Sequence, residues 1–196
     1  MNKSQLQQHG EYERIFAAMR RIRRDGIGVA FHETVFRAAS PKYADLPDLI
    51  SGAGSKQNGS RWNPPGLMAV LHAAWTPEDA VSEAMATRRR YNLPDQASLP
   101  LMIRGIRCKL RGVLDLRDGD VRVSIRVSLE RMLETDWEHE NNQGAEALTQ
   151  AIGRAAASAG FEGLLVPSVA ASSGTNTVVF VERLGRRSRI VLDEAE

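Results

Sequence analysis

The segment GSRWNPPG, Gly59 to Gly66, and the apolar run Leu67 to Ala74 behind it constrain this chain more than any other stretch. The Pro64-Pro65 pair forces extended backbone, and the flanking glycines give conformational freedom at either end. The run that follows reads as a buried strand. Thr76-Pro77-Glu78-Asp79 then starts a helix: a cap, a proline in the first turn and acids at the positive end of the dipole. That helix is expected from Pro77 to about Arg90, with Ala80, Val81, Ala84 and Met85 on its buried side and Glu83 beside them. An arginine and a large aromatic are thus set in a loop on a rigid scaffold. A guanidinium fork suits planar, bidentate recognition of phosphate or carboxylate.

The rest of the chain mixes helices and strands. Residues 4–24 read as an amphipathic helix, with Ser4 as cap, Gln7 completing a capping box, and Ile15, Phe16, Met19 and Ile22 as the apolar stripe. The alternation from Val29 to Phe36 gives a strand ending at Arg37. Residues 38–58 read as a long loop. Leu99 to Leu110 and Val113 to Leu116 read as two strands, Leu129 to Leu133 as a short helix and Trp137 to Asn142 as a polar loop. Ala145 to Ala159 is a helix stopped by Gly160. Gly163 to Val166, Thr177 to Val181 and Ile190 to Leu192 complete the strands. This order lacks the regular alternation of a doubly wound sheet, so the fold class is α+β, with residues 1–28 an N-terminal helical extension and 29–196 one domain.

Composition narrows the function classes. The 26 basic and 24 acidic side chains leave a formal charge of +2, and the basic clusters read as solvated faces and tails, so a nucleic-acid partner is not indicated. One cysteine, Cys108, excludes an intramolecular disulfide and a multi-cysteine metal site. The four histidines lack metal-ligand spacing, so no metal is expected. The start of the chain lacks the apolar core of a signal peptide, and no run reaches transmembrane length. A cytoplasmic protein that makes no membrane contact is the expectation.

Chemistry is expected from Arg37 at a strand end, Arg61 in the loop, Glu83 at the edge of a buried helix face and Ser168 after a strand. Two arginines, a hydroxyl and free backbone N–H groups suit an anionic diphosphate. A lone carboxylate nearby suits stabilisation of an oxocarbenium-like centre, as in glycoside cleavage. Each residue also has an ordinary role. Arg61 would bond carbonyls in its own loop, Arg37 would be a solvent-facing strand end, Glu83 an ion-paired surface acid and Ser168 a turn serine. His72 would be a satisfied buried histidine, and Trp62 and Trp75 packing residues.

Taken together, the segments FR at Phe36-Arg37, GSRWNPPG, AVLHAAWTPEDAVSE reaching Glu83, LLVPS reaching Ser168 and NTVVF from Asn176 resemble the RES domain family, named for its Arg, Glu and Ser. The likeness covers about residues 29–183. It implies an ADP-ribosyltransferase-like mixed sheet and NAD as a substrate rather than a bound cofactor. It further implies depletion of NAD by hydrolysis or phosphorolysis in toxins neutralised by a cognate antitoxin or immunity protein. Arg37, Arg61 and Glu83 would be the catalytic set, with Ser168, His72, Trp62, Asn63 and Asn176 binding substrate. Two departures stand out: many relatives carry tyrosine where this chain has Ala38 and His72. Protein ADP-ribosylation is the alternative reaction, and a non-catalytic phosphate- or nucleic-acid-binding module the alternative class. In the toxin reading, contact with nucleic acid would come only through an antitoxin, and self-assembly and delivery as an effector are left open.

Overall fold

The computed structural model describes residues 6–41, 49–90, 100–171 and 174–193. In chain order the elements are α1 (Tyr12–Arg24), β1 (Val29–Ala39), α2 (Ala53–Asn58), β2 (Val70–Ala74), α3 (Pro77–Arg90) and β3 (Met102–Asp115). They continue as α4 (Gly119–Ile125), α5 (Leu129–Glu134), α6 (Trp137–Asn142), α7 (Leu148–Ser158), β4 (Gly163–Pro167), β5 (Thr175–Phe180) and β6 (Arg189–Leu192). The α+β class holds.

The strands form one sheet in the order β1-β2-β5-β4-β3-β6, and β3 pairs back on β1, so five strands make a closed circuit with β6 on its flank. The two stretches expected as separate strands are one long β3. It serves three neighbours: antiparallel β1 along most of its length, antiparallel β6 at Ile106 to Lys109 and parallel β4 at Val113 to Asp115. One seam is short. β1 meets β2 through the single register pair Phe36↔Ala74, whereas β2 and β5 pair over five residues.

Each sheet face has its own core. On one face Val70, Leu114, Leu164, Val166, Val178 and Phe180 pack under helices, against Ile15, Met19 and Ile22 of α1 and Leu148, Ile152 and Ala155 of α7. On the other, Phe31, Val35, Leu71, Ile106, Cys108, Leu110, Leu165 and Val179 pack together. Burial pushes the Cys108 thiol up to about 12, which makes it an inert packing group.

Three expectations are corrected. Helix α1 begins at Tyr12, not near residue 4: Gln7 is committed to a bridge with Ala145, its N–H donating to the Gly144 carbonyl, and His9 Nδ1 accepts from the Glu11 N–H in place of the capping box. The Ser4 cap falls outside the described residues. Trp137 to Asn142 is a helix, because Asp136 accepts from the His139 N–H as a cap and Trp137 is buried as its anchor. Helix α4 was not foreseen; Asp118 caps it, and Val121 and Ile125 are its only buried residues. The expected loop at 38–58 also holds α2, while residues 42–48 lie outside the described ones. Helix α3 starts as expected, with Thr76 Oγ1 accepting from the Asp79 N–H at 3.0 Å.

Candidate active site

Glu83 comes from the middle of α3 to the ends of β4 and β5. Its Oε1 accepts from Ser168 Oγ at 2.6 Å and from Asn176 Nδ2 at 2.5 Å. The direction of the first bond is settled by what surrounds the serine. Ser168 Oγ itself accepts from the N–H groups of Ala170 and Ala171 at 3.1 and 3.0 Å, so its one proton goes to the carboxylate. Glu83 has no basic partner among the described residues. It is met by a hydroxyl and an amide instead, and it is half-buried. Asn176, having turned its amino group to Glu83, keeps a buried Oδ1 without a partner. A buried unpaired acceptor costs about 1–3 kcal/mol, and in a site it is a place for a ligand donor. Asp79, one turn before Glu83, faces the same loop: a Cβ on Gly174 would lie 3.0 Å from its Oδ2.

Asn63, Ser60 and His72 form a second polar chain, whose protons can be assigned. Asn63, fully buried, points its Nδ2 at the carbonyls of Ser55, Pro64 and Met68, so its Oδ1 must accept. Ser60 Oγ is the donor to that Oδ1 and also accepts from the Trp62 N–H. His72 Nε2, 2.8 Å from Ser60 Oγ, is therefore the protonated nitrogen. Burial first, and then the nearby Arg37 charge, push the His72 pKa down to about 3, so the ring is neutral with Nδ1 as an acceptor. The β2–β5 register sets His72 opposite Val178 and Ala74 opposite Asn176, so His72 and Asn176 share a face one pair apart.

Arg37 donates a long hydrogen bond, 3.5 Å, from Nη1 to the His72 carbonyl, and burial draws its pKa down. Arg37 thus lies beside His72 at the β1–β2 seam, while Glu83, Ser168 and Asn176 meet at the ends of β4 and β5.

Arg61 and Trp62 lie elsewhere. Arg61 Nη1 donates to the carbonyls of Met132 and Thr135, both at 3.0 Å, and so clasps the C-terminal end of α5. The open depression around it is lined by Glu134, Asp136 and Glu138, which disfavour an anion. From sequence, carbonyls of its own loop are the ordinary partners of Arg61; the carbonyls it meets belong instead to α5 and the residue after it. Trp62 is 4% exposed in the helix-covered core and has no open face for a ligand. Asn63 acts as the knot of its own loop. The loop is held from behind by α7, whose Gln150 Nε2 donates to the carbonyls of Ser60 and Asn63. Sequence reasoning passed over Ser60 and Asp79, although the spacing of Ser60 to Asn63 inside the loop was a signal for a local hydrogen bond. Among the described residues no group of three or more metal-binding side chains occurs, and no helix is long and apolar enough to cross a membrane.

Comparison with known proteins gives a family match and a structural neighbour. The family model of the RES domain matches residues 34–194. A chain in the crystal structure of the M. tuberculosis MbcT–MbcA toxin–antitoxin complex superposes with a TM-score of 0.67 at 24% identity, over 95% of this chain and 90% of that one. Among curated proteins no match is found.

Proposed function

This chain belongs to the RES domain family, and from that premise we propose that it is an NAD-degrading toxin that breaks the nicotinamide–ribose bond. The observation that carries the reading is Glu83: a half-buried carboxylate held by Ser168 and Asn176, with no cation paired to it among the described residues. Positive charge develops on the ribose as nicotinamide leaves, and a fixed carboxylate beside it lowers the barrier. The C1′–N bond breaks with its electron pair going to the nicotinamide nitrogen, which departs neutral. Water then adds to C1′ and loses a proton, giving ADP-ribose, or inorganic phosphate adds to give the 1″-phosphate.

Arg37 would hold phosphate, Asn176 Oδ1 and neutral His72 Nδ1 would accept from ribose hydroxyls or the carboxamide, and Ser168 would keep Glu83 aimed. Arg61 would act through its loop, by keeping Ser60, Asn63 and hence His72 in place. The similarity to a chain from a toxin–antitoxin complex supports a cognate antitoxin as partner, with action in the cytoplasm on the cell's own NAD. The test is nicotinamide release from NAD by the purified chain, with and without inorganic phosphate. Release in either condition supports the proposal, dependence on phosphate selects phosphorolysis, and no release in both sinks it.

A further inference from the structure

The β1–β3 register sets Arg37 directly opposite Arg104. Directly opposed residues of an antiparallel pair project to the same face, where like charges repel. The next pair on that face is Val35 with Ile106, both 0% exposed, so the two guanidinium groups stand at the end of the second apolar core. Several arginines elsewhere meet carboxylates: Arg14 and Arg131 share Glu11, Arg117 has Asp115, Arg154 has Glu146 and Arg107 has Asp193. Arg37 and Arg104 have none among the described residues. Among the described residues the buried Arg104 Nε–H has no acceptor, and Arg37 has only its long bond to the His72 carbonyl. Two apposed cations with an unmet buried donor form a site whose missing part is an anion with several acceptor oxygens.

We infer that Arg104 is a second ligand-binding arginine, which closes with Arg37 around a phosphate group. The identity of that phosphate rests on the function proposed above: it belongs either to the dinucleotide's diphosphate or to inorganic phosphate taken up as acceptor. Arg104 was not among the residues singled out from sequence, and it lies on a different strand from each of them.

The experiment uses the full chain and inorganic pyrophosphate, titrated by calorimetry into wild type, Arg104→Gln and Arg104→Lys. Loss of one charge-assisted contact should weaken pyrophosphate about tenfold or more in Arg104→Gln, with partial recovery in Arg104→Lys. The ligand-free melting temperature of Arg104→Gln should hold, because the Arg104 Nε–H makes no bond among the described residues that the substitution could break. In nicotinamide release, a raised KM for NAD assigns the site to the dinucleotide, and a raised KM for phosphate alone assigns it to the acceptor. Unchanged pyrophosphate affinity in Arg104→Gln overturns the inference, as does a melting temperature that falls in step with affinity. If Arg104→Gln does not fold, the Arg104→Lys titration decides in the same way. A wild-type chain that binds pyrophosphate through Arg104 but releases no nicotinamide refutes the NAD reading and leaves the arginine pair standing.

Discussion

Glu83 owes its poise to donors rather than to a counter-ion, and this separates its catalytic contribution from its structural one. Glu83→Gln keeps an oxygen to accept from Ser168 and Asn176 while removing the charge. Nicotinamide release should fall about a hundredfold or more, with the chemical-denaturation midpoint almost unchanged; wild-type turnover would remove Glu83 from the mechanism. His72 offers a pH test with a definite sign. Its folded pKa is lowered from 6.5 to about 3, so between those values the unfolded chain binds a proton that the folded chain refuses. Stability from the neutral ring is therefore complete above 6.5 and is lost as pH falls toward 3. His72→Gln should show a flatter stability profile than wild type over that window. Nitrogen NMR of the wild-type ring should report a neutral Nε2–H tautomer, and a charged ring at neutral pH would break the Ser60–Asn63 assignment.

Among the elements, α7 has the most leverage on the site without entering it. Gln150 holds two carbonyls of the GSRWNPPG loop, and a Cβ at Gly153 would run into the Trp62 carbonyl oxygen. Here glycine is required by the close approach of loop backbone to helix. Gly153→Ala should cost about 3 kcal/mol in chemical denaturation and should lower NAD turnover through displacement of Ser60 and His72. A variant as stable as wild type would mean that the contact is slack. The helix-start signals were legible because caps and first-turn acids act over three or four residues, as at Thr76 and Asp79. Helices α4 and α6 were missed because each is a short, mostly polar turn whose reason for folding is a buried Val121, Ile125 or Trp137 supplied with a distant partner.

At the scale of the whole molecule, α1 behaves as part of the core rather than as an appendage. Ile15, Met19 and Ile22 are between 0% and 4% exposed, in the same cluster as α7 and four strands. Burying such side chains contributes about 1.5–3 kcal/mol each, against a net stability of about 5–15 kcal/mol for a typical domain. A chain truncated to residues 29–196 should therefore fail to give soluble protein with a cooperative melt, and a stable truncated domain would refute this account.

Sequence alone determined what depends on neighbours in the chain: the strand–helix unit around Arg61, the α+β class, the positions of most strands and the order of motifs that marks the family. It also singled out Glu83, Ser168 and Asn176, which the fold joins by hydrogen bonds, and Arg37 and His72, which it sets side by side. Only tertiary structure decided what those residues do to one another. Arg61 turned to the carbonyls of α5, Trp62 went into the core, and Arg104 came opposite Arg37, because each depends on pairings between residues tens of positions apart. Register across β1 and β3 is fixed by which faces bury apolar side chains over the whole strand pair. No local spacing carries that information, so the arginine pair emerges only when the sheet closes.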